Sequence, residues 1–189
     1  MDLYIQQIVI GCILGDGSIT KSGCLQIEQS SKQKEYVYWK YEQLKSIVSD
    51  EPKRVNRYDK RTQCTYSSDR FYTRALFKQL RKEFYPIEKK SIPLNVQNFL
   101  KAPVTLAVWY MDDGGRGANT KKGVILSVPN YDFESQLRLQ TALKFNYGID
   151  TTLHKNGQLY VPMSSYTTFD NCISPHIIPS MRYKLSITP

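Results

Sequence analysis

Ile8-Val9-Ile10-Gly11-Cys12-Ile13-Leu14-Gly15-Asp16-Gly17 reads as an apolar helix that stops on a carboxylate. Ile5, Ile8, Val9, Cys12 and Ile13 recur at i, i+3, i+4, i+7 and i+8, the spacing of one helical face. Asp16 falls on that same stripe, and a carboxylate on a buried face costs free energy unless its charge is compensated. Gly11 and Gly15, four apart, flatten another side of the helix and let a second helix come close. Gly17 supplies a stop. Taken alone, this is an ordinary core helix ending in an Asp-Gly turn.

The arrangement occurs twice. In Leu106-Ala107-Val108-Trp109-Tyr110-Met111-Asp112-Asp113-Gly114, the residues Leu106, Trp109, Tyr110 and Asp113 repeat the spacing of Val9, Cys12, Ile13 and Asp16. The two aspartates lie 97 residues apart in a chain of 189. Duplication explains this, and predicts two half-domains, 1–100 and 101–189, with motif helices over 3–17 and 103–114.

Composition bounds the partners. A net charge of +9 points to a polyanion, most often nucleic acid, and fourteen tyrosines suit a wet, polar binding surface. The four cysteines, Cys12, Cys24, Cys64 and Cys172, are scattered without a Cys-x-x-Cys pair, so they read as reduced thiols in a non-secreted protein. Two histidines 22 residues apart, His154 and His176, argue against two-His zinc hydrolases and histidine-dependent nucleases. No apolar run is long enough for a membrane span, and the start, with Asp2 and no cationic leader, carries no recognisable targeting peptide. The expectation is a protein that works where it is made, or a mature form.

Between the motifs, Ile19 to Ser30 reads as a strand pair turning at Lys21-Ser22-Gly23, with Leu25 and Ile27 inward and Gln26 and Glu28 outward. Ser30-Ser31-Lys32-Gln33 resembles a capping box before a helix of Val37, Tyr41, Leu44 and Val48 periodicity. Arg54 to Ser67 reads as a second hairpin turning at Asp59-Lys60-Arg61-Thr62, charged by Arg54, Arg57, Lys60 and Arg61. A helix from about Phe71 to Phe84 closes the half. Pro103 suits the first turn of the second motif helix. A Gly-rich basic loop follows, Gly114-Gly115-Arg116-Gly117 with Lys121 and Lys122. Then come a strand over Val124 to Val128, a helix from about Asp132 to Asn146 ended by Gly148, a hairpin over Thr151 to Val161 turning at Asn156-Gly157, and a helix over Tyr166–Ile173. Each half is helix, strands, helix, strands, helix.

Lys90 lies 74 residues after Asp16 and Lys184 lies 71 after Asp113, each beside a Pro-containing segment at the end of its half. A lysine in a basic protein is usually a surface charge; matching places in a duplicated plan single these two out.

These residues resemble the LAGLIDADG homing endonucleases, in their single-chain, two-motif, intron-encoded form. Val9 to Gly17 and Leu106 to Gly114 match the name-giving signature, and Trp109 to Gly115 matches the branch whose second motif reads Trp-aromatic-Met-Asp-Asp-Gly-Gly. The first motif departs from it in having Leu14 in place of Asp, and the second has Val108 and Asp112 where the first has Gly11 and Gly15.

The resemblance implies an α+β fold of two αββαββα repeats, a saddle-shaped pair of antiparallel sheets around two central packed helices. It implies Asp16, Asp113, Lys90 and Lys184 as catalytic residues, with Asp16, Asp113, Gly15 and Asp112 holding two or three Mg²⁺ ions. Mn²⁺ substitutes and Ca²⁺ binds without turnover in such sites. Two carboxylates about 5 Å apart at an effective dielectric near 20 repel by roughly 3 kcal/mol, which divalent cations relieve.

Double-stranded DNA is the implied substrate, cut on both strands within a site of roughly 20 bp. Gln26, Glu28, Arg54, Arg57 and Arg61 are placed on the first sheet's DNA face, and Arg116, His154 and Tyr160 on the second's. The chain is expected to act as a monomeric pseudo-dimer in a mitochondrion or plastid. Two other readings compete: a group I intron maturase or a non-cleaving DNA- or RNA-binding relative of the same fold, and a nuclease built on Asp69 with Glu88-Lys89-Lys90, an Asp…Glu-x-Lys pattern short enough to match by chance.

Overall fold

The computed structural model describes residues 1–117 and 123–185. Lys121 and Lys122 of the basic loop lie outside the described residues. The elements run α1 (Leu3–Leu14), β1 (Ser18–Ile19), β2 (Leu25–Ser30), α2 (Lys34–Leu44), β3 (Lys53–Asp59), β4 (Cys64–Tyr72), α3 (Lys78–Phe84), α4 (Val96–Phe99), α5 (Pro103–Asp113), β5 (Gly114–Arg116), β6 (Val124–Ser127), α6 (Phe133–Tyr147), β7 (Thr152–His154), β8 (Gln158–Val161) and α7 (Met163–Ile173). They form two antiparallel four-stranded sheets, ordered β1-β2-β4-β3 and β5-β6-β8-β7. The two orders are the same, as an internal duplication requires. Among the described residues no helix is long and apolar enough to cross a membrane.

The chain divides into two compact units, Asp16–Arg81 on one side and Met1–Gly15 with Lys82–Pro189 on the other. In the smaller unit, Leu25 and Ile27 on β2 and Phe71 on β4 are buried with Val37, Tyr41 and Leu44 of α2, the Tyr41 ring meeting Phe71 edge-on at 5.8 Å. Phe71 pairs with Ile27 across the ladder, so β4 runs on to Tyr72 and helix begins only at Lys78, later than the Phe71 start read from the periodicity. Val48 likewise leaves the helix: it is extended and bridges Thr73.

In the larger unit, α1 packs along α5. Every residue from Ile8 to Leu14 and from Val104 to Met111 is buried, so over these stretches each helix is covered on all sides rather than along one stripe. The sequence explains the closeness. A methyl added at Gly11 would stand 2.7 Å from Val108 Cβ, and one at Gly15 would stand 2.5 Å from Asp112 Cβ. The two glycines of α1 thus receive the bulkier pair that α5 carries at the same places. Thr105 Oγ1 adds a polar tie, donating to Gln7 O at 3.0 Å.

The local signals hold in this unit. Asp132 caps α6 by accepting from Ser135 N, Gly148 ends it at φ 70°, and Gly157 turns the last hairpin at φ 73°. The Gly-rich segment after α5 is a correction: Gly114 to Arg116 is a strand, paired with Leu126 to Val124.

Candidate active site

The two motif helices end differently. α5 includes Asp113 as its last residue, half-buried. α1 stops at Leu14 with Gly15 as its cap, so Asp16 lies past the helix and is exposed, not on the buried stripe. Its carboxylate accepts from Gln29 Nε2 at 2.9 Å. Gln29 extends the inward series Leu25, Ile27, Gln29 of β2 and is itself buried. Gln29 was missed from the sequence, although a polar residue at a core-facing parity is a signal worth reading.

Lys90 Nζ donates to Gly15 O at 2.6 Å. Lys184 Nζ donates to Asp112 O at 2.7 Å and to Met111 O at 2.6 Å. Gly15 and Asp112 are equivalent, each the residue before its motif aspartate. The two lysines therefore make the same contact in the two copies, meeting the last carbonyls of a helix whose dipole favours a cation there. Tyr131 OH, 117 positions on, donates to Leu14 O at 3.1 Å. Burial and the charge of Asp113 push that phenol far above its ordinary range, so it stays a donor.

On β2, β3 and β4, parity sorts the proposed DNA-facing residues. Glu28 accepts from Arg57 and Ser68, faces Arg70 at 3.6 Å and takes Gln26 Nε2 at 3.4 Å, so Gln26, Glu28 and Arg57 share one face. The Arg57 hydrogen bond holds the Glu28 carboxyl below its usual value, against the effect of partial burial. Arg54 is three residues from Arg57 and points the other way: it pairs in register with Asp69, its Nε 3.5 Å from a carboxylate only 3 % exposed. Arg54 is thus not on the face of Gln26, Glu28 and Arg57, with which the sequence reading grouped it. Asp69, sunk on that inner face, is also poorly placed to serve an Asp…Glu-x-Lys nuclease. Arg61 sits at the hairpin tip, its backbone N–H held by Asp59 at 2.8 Å. Arg70 and the exposed Tyr66 join the outer face and were not foreseen.

On the other sheet, the rings of His154 and Tyr160 stack at 5.6 Å on the outer face with Ile125 and Gln158. Arg116 does not join them. It pairs with Val124, whose side chain is buried, and its Nε donates to Leu185 O at 2.8 Å.

Among the described residues no group of three His, Cys, Asp or Glu is gathered as a metal cage. The oxygens at the motif ends are carboxylates and backbone carbonyls, hard donors that suit Mg²⁺ in a site completed by water or phosphate.

A family model described as the LAGLIDADG DNA endonuclease family matches residues 6–169. The chain belongs to this family. The DNA endonuclease I-ChuI of Chlamydomonas applanata is 31 % identical over a 221-residue alignment covering 98 % of this chain and 97 % of that one. The cytochrome b mRNA maturase bI2 of Debaryomyces hansenii is 35 % identical over 114 residues, 58 % of this chain but only 42 % of the maturase. Among solved structures, the homing endonuclease I-WcaI bound to its DNA recognition sequence superposes with a TM-score of 0.87 at 27 % identity, covering 98 % of this chain and 88 % of that one. The doubled sheet order fits the two LAGLIDADG-type repeats of a single chain.

Proposed function

We propose that this LAGLIDADG protein is a site-specific homing endonuclease that makes a double-strand break in a long asymmetric DNA target by metal-dependent phosphodiester hydrolysis. One observation carries the reading. Gly15 and Asp112 touch across the α1–α5 seam, each immediately precedes a motif aspartate, and the carbonyl of each accepts from a lysine.

Asp16 and Asp113, with the carbonyls of Gly15 and Asp112, are the oxygens that hold divalent cations, Mg²⁺ by their hardness, with Mn²⁺ as a substitute and Ca²⁺ as an inert occupant. The chemistry that divalent cations would supply there is activation of a water and relief of negative charge at a phosphodiester. Gln29 fixes the rotamer of Asp16. Lys90 and Lys184 order the attacking water and counter the extra negative charge of the transition state. Gln26, Glu28, Arg57, Arg61 and Arg70 from one sheet, with His154 and Tyr160 from the other, meet base edges and phosphates over roughly 20 bp. The protein works as a monomer in an organelle whose genes carry introns.

In Asp16→Asn or Asp113→Asn, Mg²⁺-dependent cutting of a site selected from a DNA library should vanish while binding in Ca²⁺ persists. Full cutting by either variant would refute the assignment. RNA splicing is a second reading, supported by the maturase relative. Under it, the same two variants still promote splicing of a group I intron.

A further inference from the structure

Asp113 is bracketed by two side chains that reach for one segment. Three residues before it, Tyr110 OH donates to Lys184 O at 2.6 Å. Three residues after it, Arg116 Nε donates to Leu185 O at 2.8 Å. Pro179–Lys184 is a 3₁₀ helix, whose hydrogen bonds are poorly aligned, so its own backbone fixes the lysine weakly. The two outside donors fix it instead, and they leave Lys184 Nζ on Met111 O and Asp112 O.

The clamp is built to last. The Tyr110 ring is fully buried, stands edge-on to Phe169 at 5.0 Å, and passes so close to Gly114 that any side chain there would collide with it. Burial raises the phenol far above its ordinary range, so the hydroxyl keeps its proton. Arg116 is exposed, but its Nε is turned back to the protein rather than toward the outer face of its sheet.

The first copy carries different residues at the two equivalent places. Ile13 stands where Tyr110 does and Ile19 where Arg116 does, both apolar and buried. The segment of Lys90 is held by other means, Ser91 N donating to Phe84 O at 2.8 Å and Ile92 N to Ser135 Oγ at 3.3 Å.

We infer that Tyr110 and Arg116 are positioning residues for Lys184 alone, so that loosening them slows the cut made with that lysine and spares the other. The inference rests on the endonuclease reading. Tyr110→Phe keeps the ring and removes only the hydroxyl. Arg116→Lys keeps a cation and removes the Nε–H. With a supercoiled plasmid carrying the selected site, Tyr110→Phe should slow one strand's single-turnover cleavage by about tenfold to a hundredfold. Nicked circles should then accumulate at unchanged DNA affinity. Arg116→Lys should do the same, whereas an arginine that served a phosphate would be rescued by lysine.

Equal slowing of both strands, or none, in Tyr110→Phe overturns the inference while wild-type cutting leaves the endonuclease reading intact. A wild-type chain that cuts nothing defeats that reading instead. The clamp is then judged by lysine ε-carbon NMR: a Lys184 signal displaced in Tyr110→Phe with Lys90 unmoved upholds it, and any other pattern overturns it.

Discussion

At the end of α1 two side chains share the terminal carbonyls, Tyr131 taking Leu14 O and Lys90 taking Gly15 O. At the end of α5 a single ammonium, that of Lys184, takes both equivalent carbonyls. One copy therefore splits its helix cap between a neutral donor and a cation, and the other loads it on one cation that is itself tethered. The aspartates diverge in step: Asp16 stands exposed beyond its helix on a glutamine, and Asp113 closes its helix half-buried. Two copies of one motif can keep the same contact with different dependence on it.

The seam between the copies offers the largest break. Gly15→Ala places a methyl against Asp112, and neither helix can yield easily because Ile8 to Leu14 and Val104 to Met111 are all buried. The expected loss is about 3 kcal/mol, read as a lower thermal midpoint. Asp112→Gly in the same chain should restore most of it by moving the hole to the other helix. A Gly15→Ala protein that melts like the wild type would mean that the helices do not need the hole.

The lysines sharpen the comparison. Lys184→Met strands two carbonyls and should cost about 2 kcal/mol in urea unfolding. Lys90→Met strands one, with Tyr131 still in place, and should cost about 1.5 kcal/mol. Equal losses would mean that the two ends are equivalent after all.

Much of this was legible from spacing. The motif repeat gave both central helices and singled out Asp16, Asp113, Lys90 and Lys184, whose catalytic role the family resemblance implies, and Asp132, Gly148 and Asn156-Gly157 marked a helix start, its end and a turn because those conformations are satisfied locally. Tertiary pairing hid the rest. Phe71 suits a helix by periodicity, but its partner Ile27 makes it strand. Gly114 to Arg116 looks like a loop until β6 pairs with it. Arg54 and Arg57 look alike as charges, and only the ladder's parity separates the one that meets Asp69 from the one that meets Glu28. Asp16 left its expected stripe because the helix stopped at Leu14, one residue before the glycine that caps it.

The two sheets differ too, and acid should expose the difference. The outer face of the first holds Glu28 among Arg57, Arg70 and Ser68, while the residues paired on the outer face of the second, Gly115, Ile125, Ser127, Thr152, His154, Gln158 and Tyr160, include no carboxylate. Arg57 holds the Glu28 carboxyl below its unfolded value of 4.5. A depressed carboxylate contributes stability that is complete above that unfolded value and is lost as pH falls through the lower folded one. Arg57 is more than half exposed, so solvent screens the pair and the contribution is small. Glu28→Gln should therefore unfold at a slightly lower urea midpoint at pH 7 and show a flatter decline than the wild type as pH falls below 4.5. Amide exchange should place that change in β2, β3 and β4 and leave β5 to β8 untouched. An equal acid response in both sheets would show that the Glu28 cluster confers nothing particular on the first.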